Sequence, residues 1–220
     1  MITEQLISPV VPTLLPTDTG SKALVLMEEN NLSQLPLVIQ EKYMGLVNEN
    51  DVLDWEKPDT QIGTGEYLLH KPAVLANGHP YDALKLAHQQ NLSVVPVVDG
   101  HNTYMGSITR DALLSYFAEN SGIDNPGGII VLEIEPKSYS LSAITRICEH
   151  EEVFVISTNV FTNNATGKLE VTIKTNRTNM EPIVDAFERH NFKVKEVFGE
   201  LGNKDDLQDR YNLLMNYINM

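Results

Sequence analysis

The sequence is poor in cysteine, in basic residues and in long hydrophobic stretches. Cys148 is the only cysteine among 220 residues, so a disulfide framework and a thiolate metal site are both excluded. It shares a predicted apolar helix face with Ile144 and Ile147, which indicates a buried small hydrophobic side chain rather than a nucleophile. No stretch approaches the roughly 18 apolar residues of a membrane span, and the N-terminal residues lack signal-peptide features. We therefore expect a cytoplasmic protein.

The chain also lacks a basic surface pattern and any recognisable catalytic motif. Lys and Arg number 16 against 30 Asp and Glu, which gives a formal net charge of −14. A nucleic-acid partner needs a basic surface, so this charge argues against one. The six histidines show no metal-ligand spacing, and no nucleophile elbow, Walker loop or pair of catalytic carboxylates is found. We predict a protein that is not an enzyme, has no catalytic or metal-binding residues and requires no cofactor, with neither nucleic acid nor membrane as partner.

A duplicated segment dominates the first half of the chain. Residues 31–33, Asn-Leu-Ser, recur at 91–93, and residues 43–45, Tyr-Met-Gly, recur at 104–106. The offset grows from sixty to sixty-one residues between these motifs, so the second hairpin has gained one residue. A long repeat with the same turn residues indicates one supersecondary unit that is built twice and packed against itself.

Residue periodicity predicts the element order αββα in each copy. The first copy has a helix with Thr19 as N-cap that ends at residues 30–31, strands at 35–39 and 44–47 around a hairpin turn, and a helix at 49–55. The second copy has a helix at 80–90, strands at 94–98 and 104–108, and a helix at 111–118. The two copies are predicted to span residues 1–60 and 61–120.

The second half of the chain has a different order. Residues 119–128 concentrate helix-breaking residues, and we predict a linker at 121–128. Strands at 129–134, 153–161, 169–175 and 194–198 alternate with helices at 141–149 and after Thr178, whose spacing to Glu181 is that of a capping box. The order βαββαβ predicts a ferredoxin-like, four-stranded antiparallel sheet over residues 129–200. A last helix is predicted at about 205–217, within the C-terminal segment 201–220.

Each copy of the repeat resembles a CBS domain, the module first recognised in cystathionine β-synthase. The matching pattern is Asn-Leu-Ser-x-(Leu/Val)-Pro-(Leu/Val)-Val after a helix, then a hairpin, then Gly45-Leu-Val or Gly106-Ser-Ile before a helix that bears an aspartate. The two copies together look like a CBS pair, or Bateman module. The resemblance implies an α/β fold and a regulatory role, with an adenosine-containing ligand such as AMP, ADP, ATP or S-adenosylmethionine in the cleft between the copies.

The resemblance implies a set of ligand-binding residues at the ends of the strands. Thr109 is placed to donate a hydrogen bond to a phosphate and Arg110 to neutralise it, at a helix N-terminus. Leu37 and Val97, each following a proline, are placed to flank a purine. In the family an aspartate three residues after the threonine binds the ribose, and Asp51 has that spacing in the first copy, where Asn48 replaces the threonine. In the second copy, Asp111 comes one residue early.

A simpler interpretation of the same residues is helix capping. Asn48 and Asp111 are good N-cap residues, Asn48 and Asp51 have capping-box spacing, and Arg110 is explained equally well as a solvated surface charge. Neither copy has the full set of nucleotide-binding residues. The sequence therefore favours one mixed site, or none, over two equivalent sites.

The second half is similar in element order to an ACT domain, a regulatory module that binds amino acids. A CBS pair followed by such a domain resembles bacterial proteins of the acetoin-utilisation type. The resemblance implies a homodimer that signals to an unknown protein partner. The alternatives are a ligand-free scaffold, a subunit of an enzyme complex, and amino-acid sensing through the ACT-like domain.

Overall fold

The computed structural model describes residues 2–63 and 71–200, which divide into two compact units at Phe117 and Ala118. The predicted helix at 205–217 lies outside the described residues. Within the described ranges, no helix has both the length and the apolar character needed to cross a membrane.

The first unit contains the two predicted repeats. After a 3₁₀ turn at Thr3–Leu6, the first repeat consists of α1 (Gly20–Glu29), β1 (Gln34–Ile39), β2 (Lys42–Asn48) and α2 (Glu49–Leu53). The second consists of β3 (Val74–Leu75), α3 (Pro80–Gln90), β4 (Val94–Val98), β5 (Tyr104–Thr109) and α4 (Arg110–Ser121). Strands β1 and β2 form an antiparallel pair, as do β4 and β5, and β3 adds to β4 in parallel. The predicted αββα order is confirmed in both copies.

Local chemistry explains where these elements begin and end. The Thr19 side chain accepts a hydrogen bond from the Lys22 N–H at 3.2 Å, which confirms the predicted N-cap of α1. Asn31 and Asn91 follow α1 and α3 with positive φ angles of 54° and 51°, a left-handed conformation that asparagine tolerates. The two copies also share a register shift between their antiparallel strands, which comes after Leu37 in the first copy and after Val97 in the second.

The two repeats pack against each other through their hairpins and their cores. The hairpin ends are joined by backbone bonds from Tyr43 N–H to the Asn102 carbonyl and from Tyr104 N–H to the Glu41 carbonyl, and the two tyrosine rings stack at 6.4 Å. The unit has two buried clusters, one mainly from each repeat; Leu46 of β2 belongs to the cluster of the second repeat, and the partly buried Leu32 packs against both. The duplicated unit is therefore packed against itself, as the repeat predicts.

The second unit has the element order βαββαβ. Its members are β6 (Ile129–Ile134), α5 (Leu141–His150), β7 (Val155–Thr162), β8 (Leu169–Thr175), α6 (Glu181–Arg189) and β9 (Lys193–Phe198). The strands lie in the order β7-β8-β6-β9, and all neighbours are antiparallel. Residues of β6, β8, α5 and α6 form one buried core.

One predicted helix cap in this unit is wrong. Thr178 does not cap α6, which begins at Glu181 with Met180 in the N-cap position and no side-chain capping bond. The Asn179 side chain instead accepts a hydrogen bond from the Glu181 N–H at 3.2 Å. Helix α5 begins as predicted, because the Ser140 hydroxyl accepts from the Ala143 N–H at 3.3 Å.

Candidate ligand-binding site

A cavity of about 670 Å³ lies between the two repeats of the first unit. Each repeat contributes two segments to it: the end of its first helix with the start of the next strand, and the junction between its last strand and last helix. The lining residues are Asn30, Asn31, Leu32, Ser33, Gln34, Asn48, Glu49, Asn50, Asp51, Gln90, Asn91, Ser93, Thr109, Arg110 and Asp111. The cavity is thus built from equivalent parts of both copies.

Five of the seven residues predicted for a ligand site line this cavity. They are Asn48, Asp51, Thr109, Arg110 and Asp111. Leu37 and Val97 do not line it: both are fully buried, Leu37 in the core of the first repeat and Val97 in that of the second. The structure therefore brings the polar candidates together and leaves the two apolar ones inside the fold.

The remaining lining residues were not predicted. Most carry amide or hydroxyl groups and follow α1 or α3, where each copy has the sequence Asn-Leu-Ser. Repetition of this tripeptide at 31–33 and 91–93 is the sequence signal that marks these segments. Leu32 is the one apolar side chain among the described lining residues.

The first turns of α2 and α4 are organised differently. In α4 the Thr109 hydroxyl accepts a hydrogen bond from the Ala112 N–H at 3.1 Å, so Thr109 rather than Asp111 acts as the cap. In α2 the Asn48 side chain makes no capping bond to the backbone and donates instead to the Asp51 carboxylate at 2.8 Å. Asp51 is half-buried beside the cavity with one of its oxygens held by Asn48.

Arg110 is exposed to solvent and also bonds to its own repeat. Its Nε donates to the Leu92 carbonyl at 3.2 Å, and its Nη2 donates to the same carbonyl at 2.9 Å and to the Asn91 side chain at 3.2 Å. These bonds fasten the start of α4 to the segment that follows α3. The exposure of Arg110 fits the interpretation as a solvated surface charge, which in addition makes these local bonds.

Two equivalent serines of the cavity lining, Ser33 and Ser93, contact each other. The Ser33 N–H donates to the Ser93 hydroxyl at 3.0 Å, and the Ser93 N–H and hydroxyl both lie 2.7 Å from Gln34 Oε1. Ser93 of the second copy thus bonds to two residues of the first, Ser33 and Gln34. These hydrogen bonds cross from one repeat to the other.

The second unit contains a smaller cavity of about 360 Å³. It is lined by Glu133, Ile134, Glu135, Ser138, Lys168, His190, Asn191, Phe192 and Lys193. Hydrogen bonds from Lys193 at 2.7 Å and Lys168 at 3.0 Å lower the pKa of Glu133 to about 2. This cavity therefore presents paired charges of both signs.

Two predictions about reactive groups can be compared with the structure. Cys148 is buried in the second unit, and burial raises the pKa of its thiol to about 11, which is the opposite of what a nucleophile needs. Among the described residues no group of three or more histidine, cysteine or acidic side chains is arranged to hold a metal ion.

Comparison with known proteins identifies the repeats. A family model described as the CBS domain matches residues 4–57 and 67–119. Inosine-5'-monophosphate dehydrogenase of Methanocaldococcus jannaschii is 30% identical over 126 residues, which cover 55% of this chain and 25% of that enzyme. The chain therefore spans about a quarter of the length of this relative.

Solved structures resemble about half of the chain. A CBS domain pair/ACT domain protein from Thermotoga maritima is 20% identical with a TM-score of 0.49, covering 54% of this chain and 98% of that one. A putative acetoin utilization protein from Vibrio cholerae is 20% identical with a TM-score of 0.46, covering 54% and 91%. The family match and the αββα repeats agree, and this chain contains a tandem pair of CBS domains.

Proposed function

We propose that this chain is a non-catalytic regulatory protein that binds an adenosine-containing ligand in the cavity between its CBS repeats and signals to a partner protein. CBS-domain pair proteins are commonly regulatory ligand sensors. The observation that carries the proposal is the cavity itself: at about 670 Å³ it falls within the range of small-molecule sites, and both repeats line it.

The polar lining supplies the groups that a nucleoside needs. Asp51 has one oxygen held by Asn48, and its other oxygen is suited to accept from a ribose hydroxyl. The amide side chains of Asn31 and Asn91 both donate and accept, as the edge of an adenine base requires. Leu32 is the apolar surface against which a purine would pack.

A ligand in this cavity would act as a bridge between the two repeats. Because each repeat supplies two of the lining segments, the ligand contacts both, and it favours the arrangement in which those contacts are best. The response passes to a partner protein through this change in population. We expect the chain to act in the cytoplasm as a homodimer, which light scattering combined with size-exclusion chromatography would measure.

Thermal unfolding of the full chain tests the proposal. The ligands are adenosine, AMP, ADP, ATP, S-adenosylmethionine and free amino acids, and a ligand at a hundred times its dissociation constant stabilises the protein by about 2.7 kcal/mol. Asp51→Ala should reduce the rise in unfolding temperature that the adenosine compounds cause. Asp54→Ala is the matched control, because Asp54 is an exposed carboxylate on the end of the same helix that does not line the cavity. If no adenosine compound raises the unfolding temperature, the sensor function is wrong and a scaffold or enzyme-complex subunit takes its place.

A specific observation favours a second candidate function in the second unit. The order and antiparallel pairing of its strands support the assignment as an ACT-like, ferredoxin-type domain. The smaller cavity includes Glu135 and Ser138 from the segment after β6, and its paired lysines and glutamates suit a zwitterion such as a free amino acid. A thermal shift with one amino acid that Asp51→Ala leaves unchanged would assign amino-acid binding to this unit, and no shift would remove this candidate.

A further inference from the structure

The cavity between the repeats carries more negative than positive charge. Glu49, Asp51 and Asp111 line it with carboxylates, whereas Arg110 is the single cationic side chain among the described lining residues. Asp51 and Glu49 are half-buried, so salt screens their charges less than it screens those of fully exposed carboxylates. A charge on a bound ligand therefore interacts with these carboxylates, most strongly at low salt.

The single cation is poorly placed to neutralise a phosphate. Two of the Arg110 nitrogens donate to the Leu92 carbonyl, and one of them also donates to Asn91. A phosphate would have to compete with these bonds or bind through the remaining nitrogen. The main contacts of Arg110 are therefore hydrogen bonds that connect the start of α4 to the segment after α3.

The helix N-termini offer fewer donors than their position suggests. In α4 the Arg110 N–H donates to the Ser93 carbonyl at 3.0 Å, and the Ala112 N–H donates to Thr109. In α2, a helix of five residues, the Glu49 N–H donates to the Ser33 carbonyl at 2.9 Å. Asp111 in the first turn of α4 adds a negative charge where the helix dipole would otherwise attract an anion.

We propose that this cavity selects against phosphate and takes a nucleoside-type ligand without net negative charge, a sulfonium nucleoside being the best match. The inference rests on the proposed function and specifies the ligand class of the same site. Asp51 and Asp111 are the residues that set the selectivity. A phosphate monoester adds about −1.5 to −2 at pH 7 and a polyphosphate adds more, whereas S-adenosylmethionine carries a sulfonium and an ammonium against one carboxylate.

Calorimetric titration of the full chain with adenosine, S-adenosylmethionine, AMP and ATP tests this selectivity. We expect ATP to bind at least about tenfold more weakly than adenosine at low salt. Raising the salt to about 0.15 M should weaken the binding of S-adenosylmethionine and strengthen the binding of ATP. Salt screens both the attraction of the lining carboxylates for the first ligand and their repulsion of the second. ATP binding as tightly as adenosine, or losing affinity with salt, overturns the selectivity and leaves the adenosine site intact. Binding of none of the four compounds overturns the proposed function and this inference together.

Charge-neutralising variants locate the selectivity. Asp111→Asn and Asp51→Asn keep the shape of the side chain, and the amide oxygen introduced at position 51 can still accept the bond from Asn48, so folding should be preserved. Each variant should shift the ratio of ATP to adenosine affinity severalfold towards ATP. Asp82→Asn is the matched control, since Asp82 is an exposed first-turn aspartate of α3, at the opposite end of that helix from the cavity-lining Gln90. An equal shift in the control would show that net charge, and not the cavity, sets the preference.

Discussion

Glu49 and Arg110 occupy equivalent positions in the two repeats and carry opposite charges. The backbone N–H of Glu49 donates to the Ser33 carbonyl at 2.9 Å, and that of Arg110 donates to the Ser93 carbonyl at 3.0 Å. The backbone is therefore duplicated down to single hydrogen bonds while the side chains have diverged. The Arg110 side chain also bonds to a neighbouring backbone carbonyl. Substitution of these two residues therefore tests the side chains while the shared backbone bonds stay in place.

Replacement of Arg110 should affect stability more than phosphate recognition. Arg110→Ala removes the bonds to the Leu92 carbonyl, and we expect the free energy of unfolding to fall by about 1 kcal/mol. Glu49→Ala, the equivalent change in the first repeat, should stay within about 0.5 kcal/mol of wild type. Urea unfolding measures both. If AMP binds, Arg110→Ala should weaken AMP only severalfold more than adenosine, as expected from the loss of one positive charge in the cavity lining. A much larger loss confined to AMP would show that Arg110 binds the phosphate directly.

The cross-repeat contact at Gln34 should be important for the first unit. Gln34 Oε1 accepts from both the N–H and the hydroxyl of Ser93, so Gln34→Ala leaves two polar groups without their partner. We expect a loss of about 1–2 kcal/mol in the free energy of unfolding. Gln89→Ala, which truncates an exposed glutamine on α3, is the control and should change little. Equal stability of the two variants would show that water replaces the Gln34 contact without cost.

The sequence predicts the frame of the first unit well because the frame depends on local chemistry. Local sequence determines the left-handed conformation of Asn31 and Asn91 and the N-cap at Thr19. Because the unit is duplicated, the sequence also indicates the helix and strand boundaries in two copies. The cap at Thr178 failed because a neighbouring side chain, Asn179, occupies the Glu181 N–H. Local spacing does not distinguish these two candidates.

The orientation of side chains around the cavity was less predictable. All five residues of β4 are buried, so the alternation that would assign Val97 to one face is missing from the sequence. The Arg110 contact with Leu92 joins residues 18 positions apart through the packing of α4 on the preceding segment, and no local pattern reports it. The sequence therefore predicts which segments line the candidate site. It does not predict the hydrogen-bond partners of the lining side chains, which depend on tertiary contacts.

A single methyl group at Gly127 should disrupt the second unit. Gly127 has a φ of +144°, and a Cβ placed there would collide with the Thr175 carbonyl oxygen, which belongs to strand β8. We expect Gly127→Ala to lower the free energy of unfolding by more than about 2 kcal/mol. Gly100→Ala is the control, because a Cβ at Gly100 meets nothing within 4 Å. Differential scanning calorimetry should show the lower transition in the first variant only; matching transitions would mean that β8 moves aside.

The ion pairs of Glu133 should make the second unit sensitive to acid. Hydrogen bonds from Lys193 and then Lys168 lower the pKa of Glu133 from 4.5 to about 2 in the folded state. The folded protein holds this carboxylate ionised more strongly than the unfolded chain does. Its contribution to the free energy of unfolding is therefore fully present above about pH 5 and is lost as the pH falls towards 2.

The variant Glu133→Gln lacks this pH-dependent contribution to the free energy of unfolding. Urea unfolding at a series of pH values should show wild type more stable than the variant at neutral pH, with the difference shrinking between pH 5 and 2. A difference that stays constant over that range would mean that Glu133 acts through packing. Glu188→Gln, which changes an exposed glutamate on α6, is the control and should show no such pH dependence.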